Sequence, residues 1–328
     1  MNHCNNTVWA IVLAAGEGRR LRGLTTTRSG LAIPKQFCSL EHGPSLLQDA
    51  IERAAGSADR RRICAVVAAR HQRWWRGQLS GLPPQNIIVQ PENRGTASGV
   101  LLPLLTILGR DPQARVVLLP SDHHVRDEWQ LGQALRRAAA PPEADRPEVL
   151  LLGLEPRSAD PQLGYIVPRR DPGRAHHGVQ RFVEKPDPAR AAALVDQGAL
   201  WNTFIIAADG AALVRLFERR CPDILAAMRA ALESAAGAAQ VNARLAGLYP
   251  LLPELDFSRG VLEGQEPHLR VLPVPECGWS DLGTPDRVAE ALDGLRSRRS
   301  RRDRRPEGGV LLSLAARHRQ LHGSTARQ

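Results

Sequence analysis

The sequence predicts an α/β fold built on a mixed, mostly parallel sheet with helices on both faces. Three observations carry that expectation. Short, wholly apolar runs alternate with segments of helical spacing, and such runs suit strands covered on both sides. A chain of 328 residues with a 43% apolar share is long enough to bury a sizeable core. The first apolar run leads straight into a glycine-containing turn, as expected where a strand passes to a ligand-binding loop.

Val8 to Ala14 is the first strand, followed by a helix over 45–55 whose apolar face is Leu46, Leu47, Ala50 and Ile51. Ile63 to Ala69 and Asn86 to Val89 read as strands, and Gly95 to Leu108 as a helix containing Pro103. Arg115 to Leu119 is a strand ended by Pro120-Ser121-Asp122, and 127–140 is helical. Trp74 and Trp75 are expected to pack on a helix face. Beyond the turn at Pro141-Pro142, strands are expected at Val149 to Leu154, Gly164 to Val167, Val179 to Glu184, Leu200 to Ala207 and Leu269 to Val274. Helices are expected at 188–196, 210–219 and 222–236. No internal repeat and no linker-like composition divides this body, which reads as two lobes of one sheet.

Composition excludes several classes. Five scattered cysteines with no zinc-like spacing favour a reduced, cytoplasmic setting. The first residues do not read as a signal peptide, and no apolar run reaches membrane-span length. The net charge of +10 is uneven. Residues 296–328 hold ten arginines against Asp303 and Glu307, so the rest of the chain is nearly neutral. We therefore expect a domain over 1–290 and a basic tail over 291–328. The tail should be disordered or form a short helix near Val310 to Ala316, with weak polyanion contact as its secondary role.

Only two residues in the chain are lysines, Lys35 and Lys185, and each lies in a compact Pro-flanked segment. A compact ammonium suits a phosphate in a tight site, whereas arginine is a planar fork. The turn Leu13-Ala14-Ala15-Gly16-Glu17-Gly18-Arg19-Arg20 offers backbone amides and charge to a triphosphate. It is neither a P-loop nor a full GxGxxG, and taken alone it is a weak signal.

With Pro34-Lys35-Gln36-Phe37 placed after that turn, the chain resembles the sugar-1-phosphate nucleotidyltransferases, in the form of mannose-1-phosphate guanylyltransferases. Further segments agree in order: Gln90 to Ala97, Leu119 to His123, Gly164-Tyr165-Ile166, Glu184-Lys185-Pro186 and Trp279 to Gly283. The resemblance covers roughly residues 8–290 and implies a Rossmann-like, GT-A-like fold. It also implies Mg²⁺ as cofactor, GTP and a sugar 1-phosphate as substrates, and a place in GDP-mannose and polysaccharide biosynthesis, with a homodimer as one open oligomeric state. Arg20, Lys35, Asp122 and Asp281 are the implied catalytic residues, with Asp122 and Asp281 holding metal. Leu13, Ala14, Ala15, Gly16, Gly18, Arg19, Arg94 and Thr96 are implied to bind nucleotide. Gly164, Glu184, Lys185, Asn202 and Glu263 are implied to bind the sugar phosphate.

The reaction so implied needs no general base, because a phosphate oxygen is already ionised at neutral pH. It needs positioning and charge neutralisation, which cations and Mg²⁺ supply. Plainer readings exist for single residues: Asp122 as a helix cap, Asp281 as a turn residue, His123 as structural, His124 as solvated. Three departures from the family pattern stand out, namely Arg19 for threonine, Phe204 for glycine and Ser258 for aspartate. The two larger ones fall on the acceptor side. Two alternatives follow: a uridylyl- or thymidylyltransferase acting on another hexose 1-phosphate, or a non-catalytic nucleotide-sugar sensor. No fused isomerase or hexapeptide-repeat domain is expected.

Overall fold

A computed structural model describes residues 8–140, 148–233 and 237–302, with side chains through 296. Nine strands form one sheet: β1 (Val8–Ala14), β2 (Ile63–Ala68), β3 (Ile87–Gln90), β4 (Arg115–Pro120), β5 (Val149–Leu154), β6 (Gly164–Arg169), β7 (His177–Glu184), β8 (Leu200–Asp209) and β9 (Arg270–Val274). Their order is β3-β2-β1-β4-β8-β5-β9-β7-β6. The parallel pairings are β1–β2, β1–β4, β2–β3 and β5–β9, with Val12 opposite Ala65 and Leu119. In the second half β8 runs antiparallel to β4, β5 and β6, and β7 antiparallel to β6 and β9. Parallel pairing is therefore concentrated in the first half rather than prevailing throughout. Burial on both faces makes a strand apolar whichever way its neighbour runs, so the apolar runs carried no direction.

Period-two alternation sends β1 side chains to two cores: Val8, Ala10 and Val12 to one, Trp9 and Ile11 to the other. A short turn, α1 (Arg22–Thr25), follows the glycine loop. The first core is covered by α2 (Leu46–Ala55) and α3 (Gln72–Gln78), the second by α4 (Gly95–Leu108). α5 (Glu128–Ala139) and α6 (Pro188–Asp196) complete the first face. α7 (Gly210–Arg220), α8 (Pro222–Glu233) and α9 (Ala238–Leu248) complete the second.

Helix α2 starts at a capping box, in which Ser45 Oγ accepts from Gln48 N at 3.2 Å and Gln48 Oε1 from Ser45 N at 3.0 Å. Trp75 is buried, with Nε1 donating to Ala68 O at 2.9 Å, and Trp74 packs beside it. α10 (Pro285–Arg302) packs Val288 and Leu292 against Leu21, Leu46 and Leu282. Residue 290, expected to end the domain, lies inside this helix. The periodic apolar positions that bury it were hidden by the arginines that follow. The stretch Val310 to Ala316 lies outside the described residues. No described helix is long and apolar enough to cross a membrane.

Candidate active site

The loop after β1 is shaped by two close approaches. Gly18 is left-handed (φ 60°), and a Cβ there would lie 3.0 Å from Lys35 N and 3.2 Å from Lys35 Cβ. Gln36 donates from Nε2 to Ala14 O at 2.9 Å and Gly16 O at 2.7 Å, tying the Lys35 turn to the loop. Ser121, at the end of β4, donates from Oγ to Leu13 O at 2.6 Å. Three segments distant in sequence are thus locked around one point.

Lys35 occupies that point. Its side chain is buried, and Nζ donates to Asp281 O at 2.6 Å and Leu282 O at 3.4 Å while pairing with Asp122 Oδ2 at 3.0 Å. Desolvation works to raise the Asp122 carboxyl, but the charge and hydrogen bond of Lys35, with His123 and a backbone hydrogen bond beside them, together outweigh it and the pKa lies below the usual aspartate value. Asp281 differs: its burial raises its pKa, with Lys35 opposing. Its Oδ1 accepts from Gly283 N at 3.0 Å and pairs with Arg287, which also pairs with Asp160.

Burial drives His123 down to a pKa of about 3, so it is neutral at pH 7. Trp279 Nε1 donates to His123 Nδ1 at 3.2 Å, in keeping with a structural role. His124 is not solvated as expected. It is half-buried, exchanging backbone hydrogen bonds with Ser280.

Two adjoining cavities open around the glycine loop, and Lys35 lines the first. The first, about 450 Å³, is lined by Gly18, Arg19, Arg20, Lys35, Asn93 and Asp122. Arg19 pairs with Glu17 at 2.6 Å, and Arg20 donates to Gln162 Oε1 at 2.7 Å. The second, about 370 Å³, runs from Leu13, Ala15 and Gly16 to Gln90 and Thr96. Ala14 is buried and reaches neither cavity with its side chain. Arg94 also lines neither; it pairs with Glu92 at 2.8 Å, whereas Asn93 and Glu254 line both. Gly95 (φ 78°) lets α4 begin against the 254–256 segment, since a Cβ there would fall 2.2 Å from Leu255 O. Thr96 Oγ1 accepts from Phe257 N at 2.7 Å.

The residues expected on the sugar-phosphate side gather at the ends of β6, β7 and β8. A Cβ on Gly164 would lie 2.5 Å from Glu184 Oε2 and 3.2 Å from Asn202 Cβ. Lys185 Nζ, on a half-exposed side chain, pairs with Glu184 Oε1 at 2.8 Å. Burial raises the Glu184 pKa, with Lys185 opposing. Asn202 Nδ2 lies 3.5 Å from Ser258 Oγ. Glu263 follows the same helical turn as Ser258, but its carboxylate makes no hydrogen bond or ion pair with this group among the described residues.

A third cavity, about 600 Å³, lies across Asp281 and is lined by Trp279, Arg157, Asp160, Arg287 and Glu290. Gln36 and Asn93 had a signal, since both stand inside the quoted segments. Glu254, Gln162 and Arg287 had none, because only the tertiary fold brings them here.

This arrangement offers buried cationic charge, backbone amides and two carboxylates around cavities able to hold a phosphorylated ligand. The chain is similar to an alginate biosynthesis protein, AlgA, of Pseudomonas syringae pv. tomato, at 28% identity over 83% of this chain and 56% of that protein. It is similar to a mannose-1-phosphate guanylyltransferase of Sinorhizobium fredii at 26% identity, over 84% of this chain and 53% of the relative. The chain thus spans about half the length of the curated relatives it matches. A solved structure described as a mannose-1-phosphate geranyltransferase, from Thermus thermophilus, superposes with a TM-score of 0.72. That match has 29% identity and covers 84% of this chain and 76% of the other. The family model for nucleotidyl transferases matches residues 9–298. The chain belongs to the nucleotidyl transferase family.

Proposed function

We propose that the chain joins a sugar 1-phosphate to a nucleoside triphosphate, releasing pyrophosphate, with GTP and mannose 1-phosphate as the preferred pair. The observation that carries this reading is the placement of Lys35. It is a buried ammonium at the meeting of the glycine loop, β4 and the Trp279 to Gly283 segment. A phosphate oxygen of the sugar phosphate attacks the α-phosphorus, and the bond to pyrophosphate breaks. Lys35 and Arg20 neutralise the charge of the crowded phosphates, and the amides after β1 orient them. Thr96 and Gly16 border the second cavity, which takes the base and ribose. Lys185 holds the sugar phosphate while Glu184 and Asn202 face its hydroxyls.

The donor set fits a divalent cation. Asp122 keeps 40% of its side chain exposed beside the phosphate cavity, and the Asp281 carboxyl is near enough to feel both Lys35 and Asp122. Mg²⁺ needs only one or two carboxylates and completes its shell from phosphate and water. Asp122 and Asp281 would hold it; the Asp281 carboxylate is paired with Arg287 in this structure. When bound, it supplies further neutralisation of the phosphate oxygens.

A screen of pyrophosphate release over four nucleoside triphosphates and several sugar 1-phosphates tests the assignment. GTP with mannose 1-phosphate is expected to be fastest. A preference for UTP or dTTP moves the chain to another substrate pair. Nucleotide binding without turnover supports a sensor.

A further inference from the structure

Among the described residues only three non-glycine positions have left-handed backbones: Lys185 (φ 49°), Phe204 (φ 59°) and Leu282 (φ 49°). Each lies within two residues of a group on the acceptor or carboxylate side, Glu184, Asn202 and Asp281 respectively. A large L-residue resists this conformation, so its persistence points to surroundings that impose it. Phe204 is the most informative of the three, because its neighbours show what the strain accomplishes.

In β8 the register against β5 slips, with Leu151 opposite Ile206 but Gly153 opposite Asn202. Thr203, Phe204 and Ile205 therefore face Leu152 alone. Thr203 Oγ1 closes this bulge, donating to Leu152 O at 2.7 Å and accepting from Ile205 N at 3.2 Å. Within the bulge the Phe204 N–H donates to Asn202 Oδ1 at 3.0 Å, and the left-handed angle at Phe204 returns the chain to the β8 ladder behind it. Its ring packs edge-on against buried Phe257, 5.9 Å between centroids, next to Ser258.

With Oδ1 occupied by an N–H donor, the Asn202 carboxamide has one stable orientation. Nδ2 then faces Ser258 Oγ and the Gly164 backbone, beside the Glu184 carboxylate. A flipped amide would turn Oδ1 toward that carboxylate and leave the Phe204 N–H without its acceptor.

We propose that Phe204 is a positioning residue for the acceptor: its left-handed angle closes the β8 bulge, and the bulge holds the Phe204 N–H on the Asn202 amide so that a donor meets the sugar phosphate. This inference rests on Asn202 belonging to the sugar-phosphate side. The ring is an anchor on Phe257, and the backbone angle is the working part.

The test compares residues that accept a left-handed angle, F204N and F204G, with residues that resist it, F204A and F204V. Each full-length variant is assayed with GTP and mannose 1-phosphate for kcat and both KM values, and its Tm is measured. F204V should raise the mannose 1-phosphate KM about fivefold to tenfold, the worth of one oriented hydrogen bond. Its kcat and GTP KM should stay within about twofold of the unaltered chain on the same argument. F204N should keep the mannose 1-phosphate KM near the unaltered value despite losing the ring. Should F204V fail to fold, F204N against F204A carries the same comparison.

Equal KM values for the accepting and resisting variants would overturn the inference, as would a parallel rise in the GTP KM. Asn202→Ala separates the two layers. If it leaves the mannose 1-phosphate KM unchanged, the assignment of Asn202 fails and takes the inference with it. If it raises that KM while F204N and F204V agree, the inference alone fails.

Discussion

Lys35→Met removes the charge at the centre of the site while keeping most of the buried stem. The ammonium makes contacts at 2.6 and 3.4 Å to the carbonyls of Asp281 and Leu282 and an ion pair at 3.0 Å to Asp122. Breaking a fully buried pair costs about 3–5 kcal/mol. Asp122, however, keeps 40% of its side chain exposed, so water can solvate the carboxylate left behind. A loss of about 2 kcal/mol is the discounted expectation.

The pH dependence has a definite sign. Burial works to raise the Asp122 pKa, yet it lies below its ordinary value because Lys35 foremost, with His123 and a backbone hydrogen bond, opposes burial. Such a carboxylate stabilises the fold above its unfolded pKa of about 4 and loses that contribution as pH falls through its folded value. The deficit of the variant should therefore be full at pH 7 and shrink below about pH 4. Urea unfolding at both pH values measures it. Turnover should fall by about 10²–10³-fold, the scale for losing one preorganised charge at a transition state. A variant whose stability deficit is the same at pH 7 and pH 3, or whose turnover falls less than about tenfold, would refute the reasoning.

Lys185→Ala should chiefly raise the sugar-phosphate KM, because a half-exposed side chain paired with Glu184 offers ground-state binding, and initial-rate kinetics check it. Asp281→Asn should instead lower turnover and its Mg²⁺ dependence, and normal rates at limiting Mg²⁺ would remove Asp281 from the metal site. Gly95→Ala should cost about 3 kcal/mol or more, since its Cβ would lie 2.2 Å from Leu255 O on a left-handed backbone; thermal unfolding reads this directly. Removing residues 303–328 should leave turnover unchanged and weaken any low-salt retardation by nucleic acid in a gel shift; unchanged retardation would end the polyanion role.

Much of this organisation was legible because local pattern and burial coincide. The runs in β1, β2, β4 and β5 are apolar because both sheet faces are covered, and α4 and β5 have the expected bounds. Pairing is non-local, so nothing in Leu200 to Ala207 announced that β8 would insert antiparallel between β4 and β5. Helix α9 went unseen because Leu245 is its only buried side chain and its apolar face is slight. In the site, glycines and lysines could be found from the sequence, since their chemistry is local. Arg94 was implied to bind nucleotide, yet it is its neighbour Asn93 that lines the cavities. Phe204 was visible as a bulky residue in a glycine position. Its left-handed angle was not, because that conformation is imposed by β5 and Phe257 rather than chosen by the residue.

In the proposed reaction a phosphate oxygen of the sugar phosphate attacks the nucleotide's α-phosphorus. Mannose 1-phosphate carrying ¹⁸O at its three non-bridging oxygens, incubated with GTP, Mg²⁺ and the full chain, tests it by mass spectrometry of both products. All label should stay in the nucleotide sugar, with one labelled atom in the new P–O–P bridge and unlabelled pyrophosphate. Label in the pyrophosphate, or pyrophosphate released without a nucleotide sugar, would contradict it.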